Sequence, residues 1–257
     1  MSTYNELKEK RRESDYIMPM WLAFLPIIIG FIGSILIAIL TLSVFFYVHP
    51  APTAVTITPA INSTVTVSTA SSTVPSFLGL FAAIMIPDII MGLLVYVTFA
   101  YIIYRLIKRF NDHSSRVRGL LNMRNADKGL SGALGEIEGL PRRDPTEWAV
   151  IIGVLGIIPA VSIIASILTL YVFHSLNKDF YKLEHIENNA YRQLGWKGER
   201  YHTVPDRSTA LYIILTIITL GIFFLYWVYT VANDPNEHFR EDWKIEDQVF
   251  QPASGQA

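Results

Sequence analysis

Residues Trp21–Val48 read WLAFLPIIIGFIGSILIAILTLSVFFYV, an unbroken stretch without a charged residue. About 20 apolar residues are enough for a helix to cross the roughly 30 Å of hydrocarbon in a bilayer. The stretch is apolar on every face and alternates nowhere, so it fits neither a strand nor a soluble helix with a polar side. Three further runs have the same character: Phe77–Tyr104, Trp148–Phe173 and Leu211–Val231. Together they predict an all-α fold, an integral membrane helical bundle of about four hydrophobic segments.

Composition agrees. Charged residues make up 17% of the chain, against about 25% in an average soluble domain, and mean hydropathy is +0.35. Those charges cluster between the apolar runs. Cysteine is absent, which excludes disulfides, a thiolate nucleophile and Cys-ligated metal or Fe–S centres. A net charge of −1 argues against a nucleic-acid partner. The mixed cluster Glu6–Glu13 precedes an apolar run too long for a signal peptide, so this run is expected to stay as the first membrane helix.

The connections set an expected topology. The 49–76 loop holds no Lys, Arg, Asp or Glu, is rich in Ser and Thr, and carries the sequon Asn62-Ser63-Thr64, a glycosylation candidate. The 105–147 loop carries nine Lys/Arg, the N-terminal segment four, the 175–207 loop six and the tail after 232 two. By the positive-inside rule the 49–76 loop is extracytoplasmic and both termini are cytoplasmic. The expected organisation is a cytoplasmic segment 1–16 and a membrane hairpin 17–104, then a basic linker 105–147, a second membrane pair 148–231 and an acidic tail 232–257. The third loop strains this scheme, because four plain crossings leave its six cations outside.

An internal repeat sharpens the difficulty. Placing Phe99 over Phe224 also places Tyr101 over Tyr226, Tyr104 over Tyr229, Asn111 over Asn236 and His113 over His238. A looser copy sets Tyr171 over Tyr226 and Asp179 over Asp234. The shared design is a membrane helix that leaves through an aromatic belt and continues as a polar helix. If all three ends lie on one side, segments three and four cannot both be simple crossings. Gly153, Gly156 and Pro159 in the third, and Thr219 and Gly221 in the fourth, permit a broken or re-entrant helix. Glycine equally permits close helix packing.

The run ILTIITLGIFFLYWVYTVANDPNEHFRED (214–242), with the lead-in Pro205-Asp206-Arg207-Ser208, resembles an uncharacterised prokaryotic membrane family. Its signature is a Thr-x-Gly-Ile-Tyr/Phe turn, then Tyr-Trp, then a polar run with Asn, Glu and His. The weaker copies upstream point to a repeat-containing, archaeal branch. The family is named as a domain of unknown function, so the resemblance implies membrane residence and repeats, and no catalytic residues.

Asp88 is the sharpest single candidate. It lies deep in the second run after Pro87, where an unpaired carboxylate is expensive, so it reads as an ion or proton site or as a polar helix–helix contact. The six histidines form no HExxH motif, and His113 and His238 are expected to cap and hydrogen-bond at the interface. No metal, cofactor or catalytic residue is expected. GLSGALGEIEG (129–139) reads as a flexible linker. The basic stretch after His113 is expected to pack on the acidic stretch after His238, through Val117, Leu120 and Leu121 against Phe239, Trp243 and Ile245. The expected function is a non-enzymatic scaffold or accessory subunit of a membrane assembly, with the bilayer and other proteins or further copies as partners; the alternative is a small transporter or channel using Asp88.

Overall fold

The computed structural model describes residues 4–48, 77–198 and 203–250; Asn62 and the Ser/Thr-rich loop lie outside them. Among the described residues every element is helical: α1 (Tyr4–Glu9), α2 (Arg11–Ser14), α3 (Met20–Val48), α4 (Phe77–Lys128), α5 (Ser131–Glu138), α6 (Pro145–Ile157), α7 (Ser162–Gln193), α8 (Thr209–Ile218) and α9 (Ile222–Phe250), with one 3₁₀ turn at Pro159–Val161. Three helical stretches, Met20–Phe46, Phe81–Ala126 and Pro159–Gln193, are long and apolar enough to cross a membrane. The chain divides into a unit of residues 27–95 and a unit of residues 1–26 and 96–257.

In the first unit, parts of α3 and α4 lie side by side. Gly30 faces Val95, and a Cβ on Gly33 would sit 2.3 Å from Met91 Cε, so the missing side chains let the helices approach. Most large apolar side chains here are exposed, Phe31, Leu36, Phe46 and Ile89 among them. An exposed apolar surface of this extent fits helices long and apolar enough to cross a membrane.

Segments three and four are both broken. The third divides at Ile158-Pro159 into α6 and α7, because Pro159 cannot supply the amide that would continue α6. The fourth divides at Thr219-Leu220-Gly221. Leu220 and Gly221 take positive φ angles of 50° and 91°, and the Gly221 amide bonds Thr216 O at 2.8 Å, closing α8. The Thr219 hydroxyl accepts from Phe223 N at 2.9 Å, opening α9. The α6 and α8 helices have 13 and 10 residues, about 20 and 15 Å, and neither reaches across a bilayer alone. Glycine serves packing here as well: a Cβ on Gly156 would meet the Tyr96 ring at 2.3 Å, and one on Gly153 would lie 3.0 Å from Ala100 Cβ.

Beyond their apolar halves, α4, α7 and α9 continue as polar helices and pack together with α1 and α2. Phe110, Val117, Leu121, Phe180, Leu183, Tyr191, Phe239 and Ile245 are buried there, and the Phe180 ring meets Phe110 edge-on at 5.0 Å and Phe239 at a tilt at 5.9 Å. The stretches after His113 and His238 meet through Arg116, which pairs with Glu246 at 2.8 Å and lies 3.8 Å from Asp242. One expectation is overturned: the glycine-rich 129–139 stretch is largely helical as α5, because Leu130, Ile137 and Leu140 are buried and hold it against α7.

Gly156→Ala is expected to cost about 1–3 kcal/mol by forcing the Tyr96 ring aside. Gly221→Val is expected to cost about 1–2 kcal/mol through its positive φ, whereas Leu220→Gly is tolerated or mildly stabilising. Thermal unfolding in detergent measures all three, and equal Tm values for Gly221→Val and wild type would remove the turn from the account.

Candidate functional site

The polar ends of α4, α7 and α9 each carry an asparagine that grips the backbone of a segment entering a helix. Asn236 of α9 accepts from Met18 N at 2.9 Å and donates to Met18 O at 2.8 Å, just before α3. Asn111 of α4 donates to Arg143 O at 2.7 Å, just before α6. Asn177 of α7 donates to Pro205 O and accepts from Arg207 N, both at 3.2 Å, just before α8. Each amide satisfies backbone groups that have no helical partner. Two of the gripped lead-ins also carry an arginine paired with an acid: Arg143 with Asp179 at 2.6 Å, and Arg207 in a fork on Asp234 at 2.8 and 3.0 Å.

Arg109 has a different role. Pro235 inside α9 has no amide, so the Val231 carbonyl loses its helical donor. Arg109, fully buried, fills the gap: NH2 donates to Val231 O at 2.6 Å and NH1 to Ala232 O at 3.0 Å. Burial pushes its pKa down, and the nearby Asp234 carboxylate opposes that. Its Nε has no hydrogen-bond partner among the described residues. It borders a cavity of about 10 Å³ lined by Asn177, Phe180 and Asp234, room for one water.

One turn deeper, ionisable side chains from four parts of the chain converge. Asp15, after α2, accepts from His113 Nδ1 at 2.9 Å, Arg116 NH2 at 2.6 Å and Trp243 Nε1 at 2.5 Å. Arg116 also donates to Glu246 at 2.8 Å, which Arg11 reaches at 2.9 Å. His113 Nε2 lies 3.0 Å from Glu187 Oε1 and 3.2 Å from His238 Nε2, which is itself 3.2 Å from Glu187 Oε2. His113, Glu187, His238, Asp15, Asp242 and Glu246 have no exposed surface. Burial opposes the charge on Asp15, but His113 and Arg116 outweigh it and hold its pKa well below the usual carboxylate range. Burial likewise opposes the His113 imidazolium, and Asp15 and Glu187 reverse this, raising its pKa to about 10.

The residues singled out in the sequence fall into three groups. Asn111, His113, Asn236 and His238 belong to the polar core, and the two histidines are in contact. Tyr101, Tyr226 and Tyr229 are exposed and Tyr104 half-buried, all at the change from apolar to polar surface, while Thr219 and Gly221 form the α8–α9 turn. Asp88 stands apart in the unit of residues 27–95, exposed on α4. Glu187, Asp15, Arg109 and Asn177 carry the core as much as the histidines do. The sequence did not single them out, since no repeat register marks them. The acidic stretch after His238 also differs from a solvated face: Asp242 and Glu246 are buried, while Glu237 and Glu241 pair outward with Arg240 and Lys244.

Residues 207–249 match the family model described as a domain of unknown function, DUF4234. The match covers one lead-in arginine, the α8–α9 hairpin and nearly all of the polar extension, including Asn236, His238 and Glu246. No curated protein and no solved structure matches the chain.

Arg109→Met, which leaves the Val231 and Ala232 carbonyls without their buried donors, is expected to destabilise the folded protein by about 1–3 kcal/mol. Asn236→Ala is expected to cost a similar amount by releasing both polar groups of Met18. Denaturant titration in mild detergent, read by tryptophan fluorescence, gives both numbers; an unchanged midpoint for Asn236→Ala would show that the lead-in is held by other means.

Proposed function

We propose that this chain is a non-enzymatic, multi-pass membrane protein that serves as a scaffold or accessory subunit of a membrane assembly. The observation that carries this reading is Asp88. It is exposed on α4, among the exposed apolar side chains Ile86, Ile89 and Ile90. A carboxylate facing hydrocarbon costs about 2.5–3.5 kcal/mol at the centre of a membrane helix. A hydrogen-bond donor or cation from a partner subunit, or from a second copy, would remove that cost. The polar groups of the extensions, by contrast, are largely used in holding the chain's own helices together.

The topology that fits this reading has α3 and the first part of α4 as full crossings and two re-entrant hairpins, α6–α7 and α8–α9, entering from the cytoplasm. The short α6 and α8 support it. So do the aromatic contacts near the hairpin bases, Trp148 on Tyr171 at 5.6 Å and Tyr212 on Trp227 at 5.4 Å, which set each lead-in level with the aromatic belt of its partner helix. Charge supports it too: all 21 Lys/Arg then lie on the cytoplasmic side, whereas four plain crossings leave the six of residues 175–207 outside. In the same reading the three asparagine grips are the common feature of three hairpin repeats.

Two measurements test this. Single cysteines replacing the exposed Arg142 and Asp206 are expected to react with an impermeant reagent only from the cytoplasmic face, and labelling of position 206 from outside would overturn the re-entrant arrangement. In mild detergent the protein is expected to migrate as a complex larger than one chain, and Asp88→Leu to shrink it. A monomer that conducts cations or protons in liposomes, with flux abolished by Asp88→Asn, would establish the transporter reading in place of the subunit.

A further inference from the structure

The point where α4, α7 and α9 meet has a geometry that their packing alone does not require. His113 Nε2, His238 Nε2 and the Glu187 carboxylate, one from each long helix, all face the same small volume, and the three ligand atoms lie within 4.8 Å of one another. The separations are 3.2 Å between the two nitrogens and 3.0 and 3.2 Å from nitrogen to carboxylate oxygen. Ligand atoms held about 2.0–2.1 Å from a tetrahedral zinc ion stand about 3.3 Å apart. The two nitrogens are therefore already at the mutual spacing that such an ion imposes, and the Glu187 carboxylate lies across both, with Oε1 toward His113 and Oε2 toward His238.

The surroundings match a metal centre as well. His113 offers Nε2 to the common volume while Nδ1 faces Asp15 Oδ1 at 2.9 Å, the carboxylate–histidine arrangement that fixes the tautomer and orientation of a ligating imidazole. Asp15 is itself fixed by Arg116 at 2.6 Å and by Trp243 at 2.5 Å. Each ligand is fully buried, and three protein ligands leave the fourth tetrahedral position to a water or hydroxide.

We infer that His113, His238 and Glu187 form a structural binding site for a divalent transition ion of the zinc type, joining α4, α7 and α9. Two imidazoles and a carboxylate suit zinc and its neighbours in the first transition row, whereas magnesium and calcium prefer an all-oxygen shell. Binding replaces the Nε2 protons and releases them to solvent. Asp15 is a positioning residue: it orients His113 and does not face the common volume.

The test uses the full chain, purified in mild detergent with its affinity tag removed. Elemental analysis is expected to find about one zinc-type ion per chain. Chelator treatment is expected to lower Tm, with recovery on adding Zn²⁺ and none with Mg²⁺. The double variant His113→Asn/His238→Asn is expected to hold less than a tenth of the wild-type ion content, and Asp15→Asn to weaken Zn²⁺ affinity about 10–100-fold in a competition titration. If these variants fail to fold, Co²⁺ loading of wild type decides, with the visible absorption of a tetrahedral nitrogen–oxygen site expected. Folded wild type that takes up neither Zn²⁺ nor Co²⁺ overturns the inference, as does ion binding that persists undiminished in the folded double variant.

Discussion

The Arg116 guanidinium is buried among carboxylates from both ends of the chain, Asp15 on one side and Glu246 and Asp242 on the other. Taking these charges out of water costs several kcal/mol per ion, and only close, well-directed pairing repays it. The surrounding architecture follows from that requirement. The segment after α2 must run close enough to present Asp15, α9 must extend far enough to bring Glu246, and α7 must lie where Glu187 meets both histidines. Such a network selects one arrangement among many apolar packings of similar energy, because a shifted helix would strand an unpaired buried charge.

The asparagine grips act at a second level. Each fixes an entering segment by main-chain hydrogen bonds, so the lead-in is held whatever its side chains. Arg109 plays the complementary part on α9, supplying donors where Pro235 removes one. A proline within a helix usually marks a weak point; here its consequence is a specific connection between α4 and α9.

Sequence reasoning reached the parts governed by local rules. Apolar runs are visible from hydropathy, and three helical stretches are long and apolar enough to cross a membrane. The α8–α9 turn was prefigured by Thr219 and Gly221, and the docking of α4 on α9 by opposite charge after two matching histidines. Within that docking surface Arg116 and Glu246 are buried. Asp15 and Glu187 escaped notice because their partners lie 98 and 74 residues away in the chain. No periodicity reports such a separation, and an acid in a mixed-charge stretch looks the same whether it will be solvated or buried. The 129–139 segment was misread because its glycines outweighed Leu130 and Ile137, whose burial by α7 is a tertiary effect.

The grip of Asn236 on Met18 joins residues 218 positions apart, and Arg11 and Glu246 are joined across 235. Synthesis runs from the amino end, so α9 is made after the segments it joins and acts as a closing piece. Until it emerges, Met18 lacks the Asn236 grip and Arg116 lacks Glu246 and Asp242. The nascent chain thus carries an open, charged seam that closes only once α9 has been made. A truncated product would display that seam permanently, a chemical mark by which chaperones and proteases can tell unfinished molecules from finished ones.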